Sequence, residues 1–325
     1  MKFLIAGFGS IGRRHFNNLL RLGQREIIFY RTHHSTLPDD SIAEYPIETS
    51  LSGALAHHPD AVIITNPTAL HLDVALPAAE AGCSLLIEKP ISDSLVNLEK
   101  LSKVVQDGPG EVLVGFQFRF HPNLKHIREI LQEETIGRPL AVRSHWGEYL
   151  PAWHPWEDYR ESYSARRDLG GGVLLTLCHP FDYLRWLFGE VEQVWSLLGY
   201  NSDLDIDVED TAEVGLKFAS GLVGSLHLNY TQIPAKHSLE IVGTQGTIFW
   251  DYYRSTVVVN TSMESGDIKT VHHAAADDFE RNQLFLSEME HFLQVVAGEA
   301  APLCTLEDGI RALELALQAQ EGGMP

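Results

Sequence analysis

The sequence predicts an α/β domain built on a doubly wound parallel sheet, followed by an α+β domain with a large, mainly antiparallel sheet and helices. Three observations predict it. Gly7-Phe8-Gly9-Ser10-Ile11-Gly12 lies between an apolar run and a helix-like stretch. Continuous apolar runs then alternate with helical patterns up to about residue 120, as in a parallel sheet covered on both faces. Beyond that point many runs alternate apolar with polar residues and are joined by short turns, the pattern of antiparallel strands with one face away from the core. The expected domains are therefore residues 1–120 and 121–325, with the C-terminal helix able to pack back on the first domain.

Composition narrows the function classes. The chain has 325 residues, 44% of them hydrophobic, which is enough for two cores. Its net charge of −20, from 24 Lys and Arg against 44 Asp and Glu, argues against nucleic acid or an anionic membrane as partner. Cys83, Cys178 and Cys304 are far apart and form no C-x-x-C pair, which suits a reducing, cytoplasmic setting. No apolar run approaches the roughly 18 residues of a membrane span, and the short N-terminal run is too brief for a signal core, so neither export nor insertion is expected.

The first strand reads from Phe3-Leu4-Ile5-Ala6, and the six-residue glycine turn feeds a helix beginning near Arg13. This is the context of a dinucleotide-binding, or Rossmann, fingerprint. Gly7 permits the turn, Gly9 lets the backbone approach a pyrophosphate, and Gly12 lets helix and strand pack closely. Ser10 and Ile11 complete the turn, and the helix N-terminus offers N–H groups to phosphate.

Residues 26–30 form the second strand. Nineteen residues beyond Gly12 stands Arg31, where an acidic residue would bind the ribose 2′-hydroxyl of NAD. Glu26 and Asp39 are both poorly placed for that task. NADP is the preferred cofactor, with Arg31 pairing a 2′-phosphate and Thr32 hydrogen-bonding it, and NAD is the second candidate. The alternative for Arg31 is a solvated surface residue.

Residues 60–67 read as a buried strand ending in Thr65-Asn66-Pro67, and a helix opens at Leu70-His71 and closes at Gly82. Residues 84–87 form another buried strand running into Glu88-Lys89-Pro90. The glycine turn, Arg31, Thr65 to Pro67 and Glu88 to Pro90 all fall at the carboxyl ends of strands, where ligands bind in this architecture. Lys89 is the first residue with catalytic character, because Pro90 biases it away from helix at the strand end. An ordinary snorkelling lysine is the competing reading.

These stretches, with Gly115-Phe116-Gln117-Phe118-Arg119-Phe120, resemble the glucose-fructose oxidoreductase and inositol dehydrogenase (Gfo/Idh/MocA) family over the first 120 residues. The resemblance implies NAD(P)-dependent hydride transfer at a carbinol or carbonyl carbon of a sugar, acidic sugar, sugar nucleotide or cyclitol. It implies that Lys89 sits near the reacting carbon, that Asn66, His71, Glu88 and Gln117 join the cofactor site, and that Arg119 faces substrate. It also implies a cis Lys89-Pro90 bond, a second-domain sheet that forms a subunit interface, and hence a homo-oligomer, dimer or tetramer.

After a helix over 124–131, strand-like runs occupy 140–149, 191–200, 211–218, 223–230, 238–242, 247–250, 256–260 and 269–272. Helices over 281–296 and 306–320 close the chain. Gly170-Gly171-Gly172 introduces a helix from Val173 to His179, which Pro180 must kink or restart. At helical spacing Thr176 and His179 share a face, with Asp182 on the next turn. His179 matches the histidine of the family's site, whereas Thr176 stands where an aspartate is usual. A histidine suits this chemistry because its ordinary pKa lets it exchange an alcohol proton near neutrality. Lys89 and His179 are thus the catalytic candidates, and Thr176 is left to hydrogen-bond a substrate hydroxyl.

Upstream, Trp153 and Arg167 belong to a segment rich in aromatic and charged residues, suited to sugar rings and anions. By resemblance to members linked to acidic-sugar biosynthesis, a sugar-like small molecule is the expected substrate. Of the 16 histidines none forms H-x-x-x-H or H-E-x-x-H, and His33-His34, His57-His58 and His272-His273 read as loop pairs, so no required metal is expected. The missing aspartate motivates a second hypothesis, a cofactor-binding sensor or scaffold that has lost its chemistry.

Overall fold

A computed structural model describes residues 1–32, 40–275 and 279–322. His33, His34 and Asp39 lie outside the described residues. The chain divides into two compact units: Met1–Gln117 with Asp168–Gly170 and Arg281–Leu313, and Phe118–Arg167 with Gly171–Glu280 and the chain from Glu314 onward.

The first unit contains β1 (Lys2–Ala6), α1 (Ser10–Arg21), β2 (Glu26–Tyr30), β3 (Ile47–Glu48), α2 (Leu51–Leu55), β4 (Ala61–Ile64), α3 (His71–Glu80), β5 (Ser84–Glu88), α4 (Leu98–Asp107) and β6 (Val112–Gly115). Its six strands are parallel in the order β3-β2-β1-β4-β5-β6, the doubly wound order. Residues 3–6 of β1 and all of β4, β5 and β6 are buried, because helices cover both faces of the sheet. The order reverses between β1 and β4, so the crevice lies beyond Ala6 and Ile64. The sequence reading omits β3, α2, α4 and β6. The first two are too short to show a period, α4 follows a loop holding Ser92 and Ser94, and β6 is a four-residue run after Gly108-Pro109-Gly110.

The second unit contains α5 (Pro122–Gln132), β7 (Pro139–Tyr149), α6 (Val173–Thr176), α7 (His179–Phe188), β8 (Val191–Gly199), β9 (Thr211–Phe218), β10 (Val223–Asn229), β11 (Thr231–Gly243), β12 (Gly246–Asp251), β13 (Thr256–Ser262) and β14 (Ile268–Ala274). Eight strands form one sheet in the order β14-β13-β12-β11-β7-β10-β9-β8. Only the β7–β10 pair is parallel. β11 begins seven residues before the expected strand, because the ladder to β7 tolerates Pro234 by slipping register between Thr231 and Lys236. Two closing helices follow, α8 (Asn282–Val296) in the first unit and α9 (Leu306–Glu321), within which the boundary between units falls.

Of the two outcomes expected at Pro180, the helix restarts rather than kinks. Residues 173–179 are not a single helix: α6 ends at Thr176, Leu177 leaves helical geometry, and α7 restarts at His179 with Pro180 in its first turn. Pro180 has no N–H for the Thr176 carbonyl and is tolerated in the first turn of α7. Thr176 and His179 therefore do not share a helix face.

Candidate active site

The glycine turn is shaped by backbone contact. Gly7 has φ +94°, and a side chain there would meet Asn66 N at 2.7 Å, while one at Gly12 would meet Gly7 O at 2.5 Å. β1 and α1 are thus pressed against the end of β4. Thr65 locks this approach, its hydroxyl donating toward Ala6 O and Gly7 O, each at 3.0 Å. Gly9 differs, since a Cβ there would meet nothing within 4 Å. It caps α1 with no side-chain hydrogen bond, and no acidic residue stands in the first turn, beside exposed Ser10 and half-buried Ile11. An open space over uncapped N–H groups is what a pyrophosphate requires.

Two buried acceptors add to the fit. Asn66 Oδ1 and Gln117 Oε1 have no hydrogen-bond partner among the described residues. The first unit therefore fits a dinucleotide. Arg31, at the end of β2, is 4% exposed, with its guanidinium 5.5 Å from the Phe8 ring centroid, and Arg13 lies 4.3 Å from the same ring. Arg31 is not the solvated residue of the competing reading. Thr32 beside it is exposed, and Pro67 leads into a short 3-10 turn.

His71 and Glu88, both expected at the cofactor, are engaged within the protein. His71 is 2% exposed, with Nδ1 2.9 Å from Pro90 O and Nε2 2.9 Å from Asn66 O. It clamps the turn after β4 to the turn after β5. Burial holds its pKa below the ordinary histidine range, and a neutral ring can donate to only one of these carbonyls. Glu88 is 7% exposed and turns inward to His15 on α1, Oε1 to Nε2 at 2.7 Å. Burial alone would raise its pKa, but the His15 hydrogen bond and charge, with Lys89, bring it below the ordinary range. Lys89 follows half-buried, its N–H donating to Glu88 Oε2 at 3.3 Å, and the Lys89-Pro90 bond is cis as expected.

In the second unit, His179 opens α7 at 1% exposure. Its ring meets Phe118 edge-on at 4.9 Å and stacks on Trp146 at 5.5 Å. Around Phe118 stand two more buried histidines, His121 and His237, with Tyr183. Tyr183 Oη lies 2.6 Å from Ser144 Oγ and 3.2 Å from His237 Nε2. His121 accepts the Asn123 N–H as the cap of α5, and burial lowers its pKa to about 3. The sequence reading missed this cluster, since its members come from five separate elements.

Three residues expected at the substrate are also engaged within the protein. Arg119 is 3% exposed and forms a forked pair with Asp182, Nη2 to Oδ1 at 2.7 Å and Nε to Oδ2 at 3.0 Å. It ties the segment before α5 to α7. Thr176 is 3% exposed and sits beside the buried Tyr230 hydroxyl, which donates to Ser164 O at 3.2 Å. Arg167 is exposed but tethered, Nη2 donating to Asp207 O at 2.5 Å. Trp153 fits better: it is half-buried, packs edge-on against Tyr230 at 5.6 Å, and its buried Nε1 has no partner among the described residues.

A family model described as "Oxidoreductase family, NAD-binding Rossmann fold" matches residues 1–116, and one described as "GFO/IDH/MocA C-terminal domain" matches residues 124–249. The chain is 29% identical to a myo-inositol 2-dehydrogenase of Thermotoga maritima over 99% of this chain and 96% of that protein. It is 27% identical to a scyllo-inositol 2-dehydrogenase (NAD(+)) of Bacillus subtilis over 82% of this chain and 77% of that one. Among solved structures, levoglucosan dehydrogenase in complex with NADH superposes with a TM-score of 0.87 at 20% identity, covering 99% and 96% of the two chains. Among the described residues no helix is long and apolar enough to cross a membrane.

Proposed function

This chain belongs to the GFO/IDH/MocA family of oxidoreductases, and we propose that it is a nicotinamide-dependent dehydrogenase or reductase acting on a CH–OH carbon of a sugar, acidic sugar, sugar nucleotide or cyclitol. The observation that carries this reading is the open, uncapped α1 N-terminus at Gly9, at the strand ends where Lys89 also emerges. A bound nicotinamide dinucleotide supplies or accepts the hydride. Gly7, Gly9 and Gly12 let the backbone approach its phosphates, and Asn66 and Gln117 offer it acceptors. Lys89 holds the substrate oxygen by its ammonium group. His179 takes the hydroxyl proton in oxidation and returns it in reduction. Trp153 offers a ring face and an N–H to the sugar.

Relatives with dehydrogenase names do not favour the sensor or scaffold reading. Turnover of a panel of sugars, uronic acids, sugar nucleotides and inositols with either nicotinamide tests the proposal. No turnover across the panel together with no nucleotide binding would refute it.

NADP is the preferred form in this reading, because buried Arg31 closes β2 where NAD enzymes place an acid. Thermal unfolding with NAD, NADH, NADP and NADPH tests it, since a ligand of the folded state stabilises by RT ln(1 + [L]/Kd). The expected result is a larger rise with NADP and NADPH that Arg31→Ala abolishes. A larger rise with NAD and NADH sinks the role of Arg31.

A homo-oligomer is also part of the proposal. Strand alternation and register put Trp195, Leu197, Val223, Val242 and Phe249 on one face of the eight-stranded sheet, at exposures from 37% to 64%. Sedimentation is expected to give a dimer or larger species that Leu197→Lys weakens. A monomer at micromolar concentration would rule it out.

A further inference from the structure

Behind the Lys89 turn the first unit encloses three titratable side chains from distant stretches: His15 on α1, Glu88 ending β5 and Glu288 on α8. All are buried, and one ligand-capable atom of each lies within 4.8 Å of the other two. Glu88 is satisfied on both oxygens, by His15 Nε2 and by the Lys89 N–H. Glu288 is not. It is 0% exposed, and neither carboxyl oxygen has a hydrogen-bond partner among the described residues.

An ionised carboxylate is costly here, fully buried, with no hydrogen-bond donor among the described residues and with a second carboxylate beside it. A proton on Glu288 relieves the cost, as would a cation shared by the three residues. The His15–Glu88 distance of 2.7 Å fits the proton better. It is the length of a charge-assisted N–H to O bond, with the ring hydrogen between the atoms, whereas two ligands of one small cation at ~2.1 Å stand roughly 3 Å or more apart.

We infer that Glu288 is a positioning residue for Lys89: an un-ionised acid that leaves Glu88 the single anion of the cluster, so that Glu88 grips the His15 ring with one oxygen and the Lys89 backbone with the other. Gly115 on β6 leaves the Glu88 carboxyl its space, since a Cβ there would lie 3.3 Å from it. α1 presents His15, and Arg14 stacks on Phe285, one turn before Glu288, at 4.4 Å. β5 presents Glu88, on which the charge of Lys89 also acts, with the buried His71 ring nearby. From α8 itself the flanking buried residues are the apolar Phe285, Met289 and Phe292. Burial first, then the Glu88 charge, pushes the Glu288 carboxyl well above the ordinary glutamate range.

The sign of the pH effect follows. From the ordinary glutamate value of 4.5 up to the raised folded value, the folded chain keeps a proton that the unfolded chain releases. Stability contributed at this position is therefore full at acid pH and falls as pH rises through that window. Glutamine keeps the shape and removes the proton.

The inference rests on the reading of Lys89 as the substrate-oxygen ligand, but its test separates the two. Wild type and Glu288→Gln are unfolded in urea between about pH 5 and 8, where free glutamate is ionised. Their infrared spectra are recorded in D2O. The wild-type unfolding constant, relative to that of the variant, is expected to rise about tenfold per pH unit while Glu288 stays protonated. Wild type is also expected to show the carbonyl band of an un-ionised acid at neutral pH, and the variant to lack it. A flat ratio, or no such band in wild type, overturns the inference. So does stoichiometric divalent metal in purified wild type that the variant loses. Should the variant fail to fold, the wild-type band and metal content decide. For the positioning role, kcat on the substrate found by the panel should fall at alkaline pH in wild type and not in Glu288→Gln, and the same alkaline limb in both overturns it. Failure of the whole panel counts against the oxidoreductase reading alone, leaving the infrared and unfolding results to judge Glu288.

Discussion

Lys89→Met is expected to lower kcat on the authentic substrate by about 10²–10⁴-fold, the range for losing a group that manages charge and proton at the reacting oxygen. Methionine keeps the length and most of the apolar stem, so the half-buried position stays filled and loss of the ammonium group dominates. The turn itself is held by contacts that do not involve the lysine amine: His71 faces Pro90 O, and Glu88 Oε2 accepts the Lys89 N–H. Dinucleotide stabilisation measured by thermal unfolding should therefore change little while turnover collapses. A variant that keeps more than about a tenth of wild-type kcat shows that Lys89 is not at the chemistry.

Arg119→Ala is expected to cost about 3–5 kcal/mol of stability, because it leaves Asp182 buried and without its main counter-charge. Arg119 and Asp182 are 3% and 1% exposed and make a forked pair, so solvent screening gives little relief. In a unit of this size the change corresponds to a Tm lower by roughly 10 °C. The double variant Arg119→Met with Asp182→Leu should recover much of that loss, since removing both charges also removes their desolvation cost. Equal losses in single and double variants would show that packing, not charge, carries the effect.

The same pair shows where sequence reading stops. Arg119 is read as facing substrate through the family resemblance alone, and its partner in the fold lies 63 residues away. A partial signal existed for the other buried polar residues. His15 falls on the face of α1 that carries Gly12, Phe16 and Leu19, and Glu288 on the face of α8 that carries Leu284, Phe285 and Phe292. A titratable residue in an apolar stripe must find a partner or lose its charge. Periodicity identifies such a residue and says nothing of the partner. Thr176 failed differently: helical spacing put it beside His179, but Pro180 broke the helix between them.

By itself the sequence determined what depends on neighbours along the chain. The parallel sheet follows from buried runs alternating with helices, the dinucleotide turn from three glycines between a strand and a helix, and the Lys89-Pro90 turn from a strand ending at proline. Tertiary structure alone decided which polar side chains remain available. Folding paired Arg119 with Asp182, turned Glu88 toward His15, set His71 between two carbonyls and sealed Glu288 with no hydrogen-bond partner among the described residues. The physical reason is that a buried polar group is satisfied by whatever distant element the packing brings to it, and the local pattern of the chain carries no record of that partner.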